Sequence, residues 1–158
     1  MIVPIIMGSN SDMEFCKKIG EELAKLGVKF EYRVASAHKA TEYALEIVRK
    51  YDSENEKVVY ITVAGMSNAL SAVVDANSLN PVIACPPYSE KFGGMDVISS
   101  LRMPSGVCPL VVLEPKNAAL AAAKMLGLGD KAAKQKVKEY KAGFVDAIKK
   151  ADAEAKKG

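Results

Sequence analysis

Short, unbroken runs of aliphatic residues, each followed by a stretch with helical periodicity, constrain this chain more than any other feature of its sequence. Residues 2–7, Ile-Val-Pro-Ile-Ile-Met, are continuously apolar, as a strand buried on both faces of a parallel sheet must be. Residues 11–26 then place Cys16, Ile19, Leu23 and Leu26 at spacings of three, four and three, one apolar stripe of a helix, and Gly27 caps it. The alternation continues with strands at 28–35, 58–63, 81–85 and 110–113 and helices at 41–51, 67–79, near 96–101 and at 115–126. Pro115 suits the first turn of the last of these. Residues 130–156 predict a C-terminal helix with Val137, Tyr140, Phe144, Ile148 and Ala151 on one stripe and lysines on the other face. Strands separated by helices require right-handed crossovers. The predicted fold is therefore α/β, a doubly wound, mainly parallel sheet of five strands with helices on both faces.

This three-layer, flavodoxin-like sandwich with its long C-terminal helix suits a single domain over residues 1–158, 49% of them hydrophobic and 26% charged. The net charge of +3 is far below that of a dedicated nucleic-acid binder, and it is unevenly placed. Residues 129–158 carry nine lysines against five acids, which leaves residues 1–128 at −1. No apolar stretch approaches the roughly 20 residues of a membrane span, and no basic leader precedes residues 2–6, so a soluble cytoplasmic protein is expected. Cys16, Cys85 and Cys108 are odd in number, lack metal-ligand spacing and adjoin apolar runs, which predicts buried thiols in a reducing compartment.

Ligands of such folds bind beyond the carboxyl ends of the strands, and four of those segments are unusual. Met7-Gly8-Ser9-Asn10-Ser11-Asp12 brings a glycine and hydroxyls to a helix N-terminus, a natural anion site, although a capping box over Ser11-Asp12-Met13-Glu14 would read the same way. Ser36-Ala37-His38-Lys39 holds the only histidine, beside a cation; a structural histidine and a solvated lysine are the alternatives. Ala64-Gly65-Met66-Ser67-Asn68 offers close backbone approach at another helix start, as an ordinary turn and N-cap also would. Residues 85–106, rich in proline and glycine, are long enough for a functional loop or an oligomer contact.

Several chemistries are excluded. No G-x-G-x-x-G or phosphate-loop Gly-Lys-Ser motif is present, no Gly-x-Ser-x-Gly elbow supports a serine hydrolase, and one histidine cannot build a histidine-rich metal site. Taken together, the four segments resemble the PurE family of purine biosynthesis, whose members act on aminoimidazole ribonucleotide (AIR). The resemblance runs from Met7-Gly8-Ser9 to the alanine-rich helix after Asn117. The carbamate-mutase branch of that family usually has Ser-Ala-His-Arg, Gly-Gly-Ala-Ala-His and Gln-Met-Pro segments. Here Ser36-Ala37-His38-Lys39, Met66-Ser67-Asn68-Ala69-Leu70 and Leu101-Arg102-Met103-Pro104-Ser105-Gly106 stand instead and look like the branch that takes carbon dioxide directly.

The resemblance implies that Gly8, Ser9, Ser11 and Asp12 hold the ribonucleotide, with Asp12 on ribose hydroxyls. It further implies that Ser36 and Lys39 complete the phosphate grip, and that Ala64, Gly65 and Ser67 approach the imidazole or the incoming carboxyl. His38, with Lys39 beside it, is the expected catalytic group, moving a proton. No cofactor and no metal are implied. The implied partners are AIR and carbon dioxide, with no nucleic acid or membrane, and the implied assembly is a homo-octamer with the C-terminal helix packed in it. Two alternatives stay open: the carbamate mutase of the same family, and a non-catalytic phosphoribosyl sensor that uses Ser9, Ser11 and Asp12 without needing His38.

Overall fold

The computed structural model describes residues 1–54 and 56–157. Its sheet has five strands, β1 (Val3–Met7), β2 (Phe30–Val34), β3 (Tyr60–Val63), β4 (Val82–Ala84) and β5 (Leu110–Val111), every pairing parallel, in the order β2-β1-β3-β4-β5. Helices α1 (Met13–Lys25), α2 (Thr41–Ser53), α3 (Ala69–Ala76), α4 (Ile98–Leu101), α5 (Pro115–Leu126) and α6 (Lys131–Ala155) connect and cover it. The expected doubly wound α/β fold is present. No helix is long and apolar enough to cross a membrane among the described residues.

Each face of the sheet carries its own core. On one, alternate β1 residues Val3, Ile5 and Met7 meet Cys16, Ile19 and Leu23 of α1 and Ala118, Ala119, Ala122 and Ala123 of α5. On the other, Ile2 and Ile6 meet Ala44, Ile47, Val48 and Tyr51 of α2 and Leu70 and Val74 of α3. That strict alternation along one fully buried strand is why the run 2–7 is apolar at every position. Gly20 of α1 lies against Tyr32 and Phe30 of β2, where a Cβ would meet the Tyr32 hydroxyl and approach Phe30 to 2.7 Å. Glycine is what lets the helix cross the strand so closely.

The remaining differences from the sequence reading have local causes. β2 and β5 are edge strands and shorter than the apolar runs suggest, because pairing on one side only ends sooner. α3 begins at Ala69 because the Asn68 side chain accepts the N–H of Ser71 and caps it, which leaves Ser67 in the preceding loop. Phe92, Gly93 and Gly94 all have left-handed backbone (φ +52°, +63° and +79°) and break the 91–101 segment into 3-10 turns before α4. Cys16 and Cys85 are buried, as expected, and burial pushes both thiols up to about 12. Cys108 is exposed, contrary to expectation, with its backbone N–H tied to Asp75 (2.7 Å) on a surface loop before β5. Ala118, Ala119, Ala122 and Ala123 of α5 are buried inside the chain, against α1 and the sheet.

α6 is attached at its first half. Ala133 is buried, Val137 and Tyr140 pack on the α1 and α5 side, and the Tyr140 hydroxyl donates to Glu22 of α1. Glu22 is only 3% exposed and also accepts from Lys25 at 2.9 Å. Burial alone would raise its pKa, but the bonds from Tyr140 and Lys25 more than offset this and hold the carboxyl below its ordinary value. A carboxyl depressed in the folded state stabilises above its unfolded pKa and loses that contribution as the pH falls through the folded one. Tyr140→Phe should therefore cost about 1–2 kcal/mol at pH 7 in urea denaturation at fixed protein concentration, and the gap from wild type should shrink once acid protonates Glu22. A loss that is the same at pH 7 and pH 3 would show that the hydroxyl contributes only packing.

Candidate active site

The chain turns to opposite faces of the sheet after β1 and after β3, and these two strands are neighbours, so a crevice opens at their carboxyl ends. Three loops line it. After β1, the Gly8 N–H donates to Val63 (2.9 Å) and keeps the loop on the sheet for one more residue. Ser9 then leaves in extended backbone and caps a 3-10 turn, Asn10–Asp12, its Oγ accepting from the N–H (3.3 Å) and the hydroxyl (2.9 Å) of Ser11. The capping box weighed from the sequence does not form. Asp12 precedes α1 without a side-chain cap bond, and Glu14 is paired with Lys17 at 2.6 Å. Ser9 and Ser11 are exposed beside the first turn of α1, where helix amides and the dipole favour an anion.

After β2, the Ala35 N–H bonds Met7 (2.9 Å), and Ser36 turns the chain, its Oγ accepting the Lys39 N–H (3.3 Å) and its carbonyl the Ala40 N–H (2.9 Å). This tight turn presents His38 and Lys39 to solvent. Among the described residues neither side chain makes a hydrogen bond or ion pair, in contrast to the surface lysines 17, 25, 136 and 156, which are paired. After β3 come Ala64, Gly65, Met66 and Ser67, with Met66 in left-handed backbone at φ +56°.

All of the sequence-predicted residues line one cleft of about 530 Å³: Gly8, Ser9, Ser11, Asp12, Ser36, His38, Lys39, Ala64, Gly65 and Ser67. Gly8 and Gly65 both have ordinary backbone, and a Cβ would meet only Ala64 and Val63 (3.5 and 3.8 Å) at the first and Pro87 (3.6 Å) at the second. The fold would accept alanine at either. What glycine keeps open is the cleft wall. The sequence reading missed the far wall, Tyr88, Ser89, Lys91 and Asp96, although the length and glycine content of that segment had marked it as functional. Arg102 is exposed and is not among the residues lining the cleft. A larger hollow of about 650 Å³ lies across the Pro87–Ser89 backbone, between Phe15, Lys18, Leu113 and Lys116, and contains none of the predicted residues. Among the described residues no group of three or more His, Cys, Asp and Glu side chains could hold a metal ion.

Residues 2–146 match the family model described as AIR carboxylase. The chain belongs to the AIR carboxylase family. It is 55% identical over 150 residues to a phosphoribosylaminoimidazole carboxylase of Archaeoglobus fulgidus, covering 95% of this chain and 82% of that one. A Treponema denticola protein of the same name is 48% identical over 139 residues, covering 88% and 87%. The crystal structure of Treponema denticola PurE superposes with a TM-score of 0.94 at 45% identity, covering 97% of both chains. The likeness to the Treponema denticola structure thus covers nearly the whole chain.

Within the cleft, burial raises the Asp12 carboxyl above the ordinary aspartate range against the opposing hydrogen bond from the Ser9 backbone. A carboxyl raised in the folded state costs stability once the pH exceeds its unfolded value, so the fold gains nothing from this charge. Asp12→Asn is expected to melt at a higher temperature than wild type at pH 7 without ligand, with the difference vanishing in acid below the aspartate range. A lower melting temperature at pH 7 would make Asp12 a support of the fold rather than a group held ready for a ligand.

Proposed function

We propose that this protein joins carbon dioxide to carbon 4 of AIR, giving 4-carboxy-5-aminoimidazole ribonucleotide, as a cytoplasmic enzyme of purine biosynthesis that needs no ATP, biotin or metal. The observation that carries the reading is the meeting, in one cleft of a family member, of the only histidine with an anion-accepting helix start, a lysine and a partly desolvated aspartate. In this reading the Ser9, Ser11 and Ser36 hydroxyls, the first amides of α1 and the Lys39 ammonium hold the phosphate. The Asp12 carboxylate accepts from the ribose hydroxyls. These contacts leave the imidazole ring toward Ala64, Gly65 and Ser67.

AIR is an enamine-like nucleophile. Its carbon 4 attacks the carbon of carbon dioxide, one C–O π pair moves onto oxygen, and the ring carbon becomes tetrahedral while still holding its proton. Neutral His38 takes that proton, the C–H pair returns to the ring, and aromaticity is restored. Donors of the 64–67 loop stabilise the new carboxylate. His38 then passes the proton to solvent, to which it is open. Lys39, together with the segments around Ser67 and Arg102, favours direct use of carbon dioxide over carbamate transfer, because a point-charged ammonium clamps an anion differently from a two-pronged guanidinium.

The assembly belongs to the same proposal. Residues 1–158 are read as one catalytic domain that forms a homo-octamer, with α6 in the contacts. Its outer half leaves Phe144, Val145 and Ile148 between 51% and 70% exposed, too much apolar surface on one stripe for a helix in water.

Turnover of AIR should rise with added bicarbonate, proceed without ATP or biotin, and speed up with carbonic anhydrase when hydration limits supply. Rapid conversion of the isolated carbamate ribonucleotide, with almost none of AIR plus bicarbonate, would replace this reading by the mutase. His38→Asn should abolish turnover while AIR affinity stays within about tenfold, since phosphate contacts supply most of the binding. Binding of AIR by the wild type with no turnover under any condition would favour the sensor. Light scattering should give the octamer at micromolar concentration, and Phe144→Asp with Ile148→Asp should dissociate it; a wild-type monomer would sink the assembly.

A further inference from the structure

Ser67 stands in the cleft, in a loop fastened to the helix after it by one backbone bond, its carbonyl accepting the Ala69 N–H (3.0 Å). Met66 has left-handed backbone, which disfavours a non-glycine residue and persists only where surroundings impose it. The surroundings come from α4, about thirty residues further on. The Ser99 hydroxyl accepts the Asn68 N–H (3.0 Å), and its own proton lies between the carbonyls of Met66 (3.0 Å) and Asp96 (2.8 Å). One hydroxyl therefore grips both flanks of Ser67. Next to it, the buried Ser100 hydroxyl accepts from the Asn68 amide (2.9 Å), whose oxygen in turn caps α3 through Ser71. Asp96, the third group joined by Ser99, lies on the opposite wall of the cleft.

We infer that Ser99 is a positioning residue that holds the Gly65–Ser67 backbone at the reacting end of the substrate and ties the two walls of the cleft into one unit. The inference rests on the carboxylase reading for what the loop acts upon. The phosphate end, held by the loops after β1 and β2, has no bond to Ser99, so the two ends of the cleft should respond differently to its loss. Misplacement of a loop that meets the reacting atoms lowers kcat, whereas contacts made equally in ground and transition states set binding.

Ser99→Ala should lower kcat for AIR and carbon dioxide about 10–100-fold while the KM for AIR and the affinity for ribose 5-phosphate change less than about threefold. Ser99→Thr, which keeps the hydroxyl, should recover most of the rate. Equal losses in kcat and in ribose 5-phosphate binding would reduce Ser99 to a support of the whole fold, and a Thr variant as slow as the Ala variant would remove the hydroxyl from the role; either result overturns the inference. Should Ser99→Ala not fold, Ser100→Ala, which loosens only the Asn68 side chain, should show the same split in smaller degree, and unchanged kinetics there would overturn it as well. A wild type without carboxylase activity would instead defeat the reading of the cleft, and ribose 5-phosphate binding separates that failure from this one.

Discussion

The crevice between β1 and β3 is the constraint on which the rest of this molecule depends. A parallel sheet can satisfy its backbone only if each strand is followed by a crossover, and the crossovers after β1 and β3 go to opposite faces. Where they part, the carboxyl ends of two central strands are uncovered. Polar loops must end the strands there, since buried backbone without partners would be costly. Gly8 and Ala35 each extend the sheet by a single hydrogen bond before their loops depart, so the cleft floor is the sheet itself and shares its rigidity. The loops need only short turns to place hydroxyls, an imidazole and an ammonium around one hollow.

Those groups have different standing toward the fold. Ser9, Ser36 and Asn68 make the turns in which they sit and have structural work apart from any ligand. Lys39 and His38 do none that the hydrogen bonds reveal, and Asp12, with only the opposing bond from the Ser9 backbone, is held in surroundings that disfavour its charge. Removing water from a carboxylate while supplying too few partners to compensate is destabilising, and it recurs where further partners arrive with a ligand. The α4 serines are a third kind, reaching across from a segment whose own backbone is left-handed over Phe92, Gly93 and Gly94.

Sequence periodicity was enough for the central architecture because the central strands are buried on both faces and the helices on one. An uninterrupted Ile-Val-Pro-Ile-Ile-Met run and the Cys16-Ile19-Leu23-Leu26 stripe leave few other arrangements. The near wall of the cleft was legible for a related reason: strand ends are marked by where the apolar runs stop. The far wall was not. Tyr88, Ser89, Lys91 and Asp96 approach through a segment shaped by successive positive-φ residues, and nothing in a linear sequence says which way such a segment folds back. Nor could spacing show that Ser99 meets Met66, a contact between residues 33 apart. Cys108 was misread because an apolar neighbourhood in sequence lay on an outer loop in space.

The unequal placement of the three thiols makes the molecule addressable. Cys16 and Cys85 lie within the core and are held protonated by burial, while Cys108 alone is exposed, on the loop leading to the β5 edge, with a backbone bond to Asp75 that fixes its surroundings. A maleimide dye or spin label will therefore report from one known point without any cysteine having to be engineered away. Distances measured from that point between copies could map an assembly in solution, from a thiol the chain already carries.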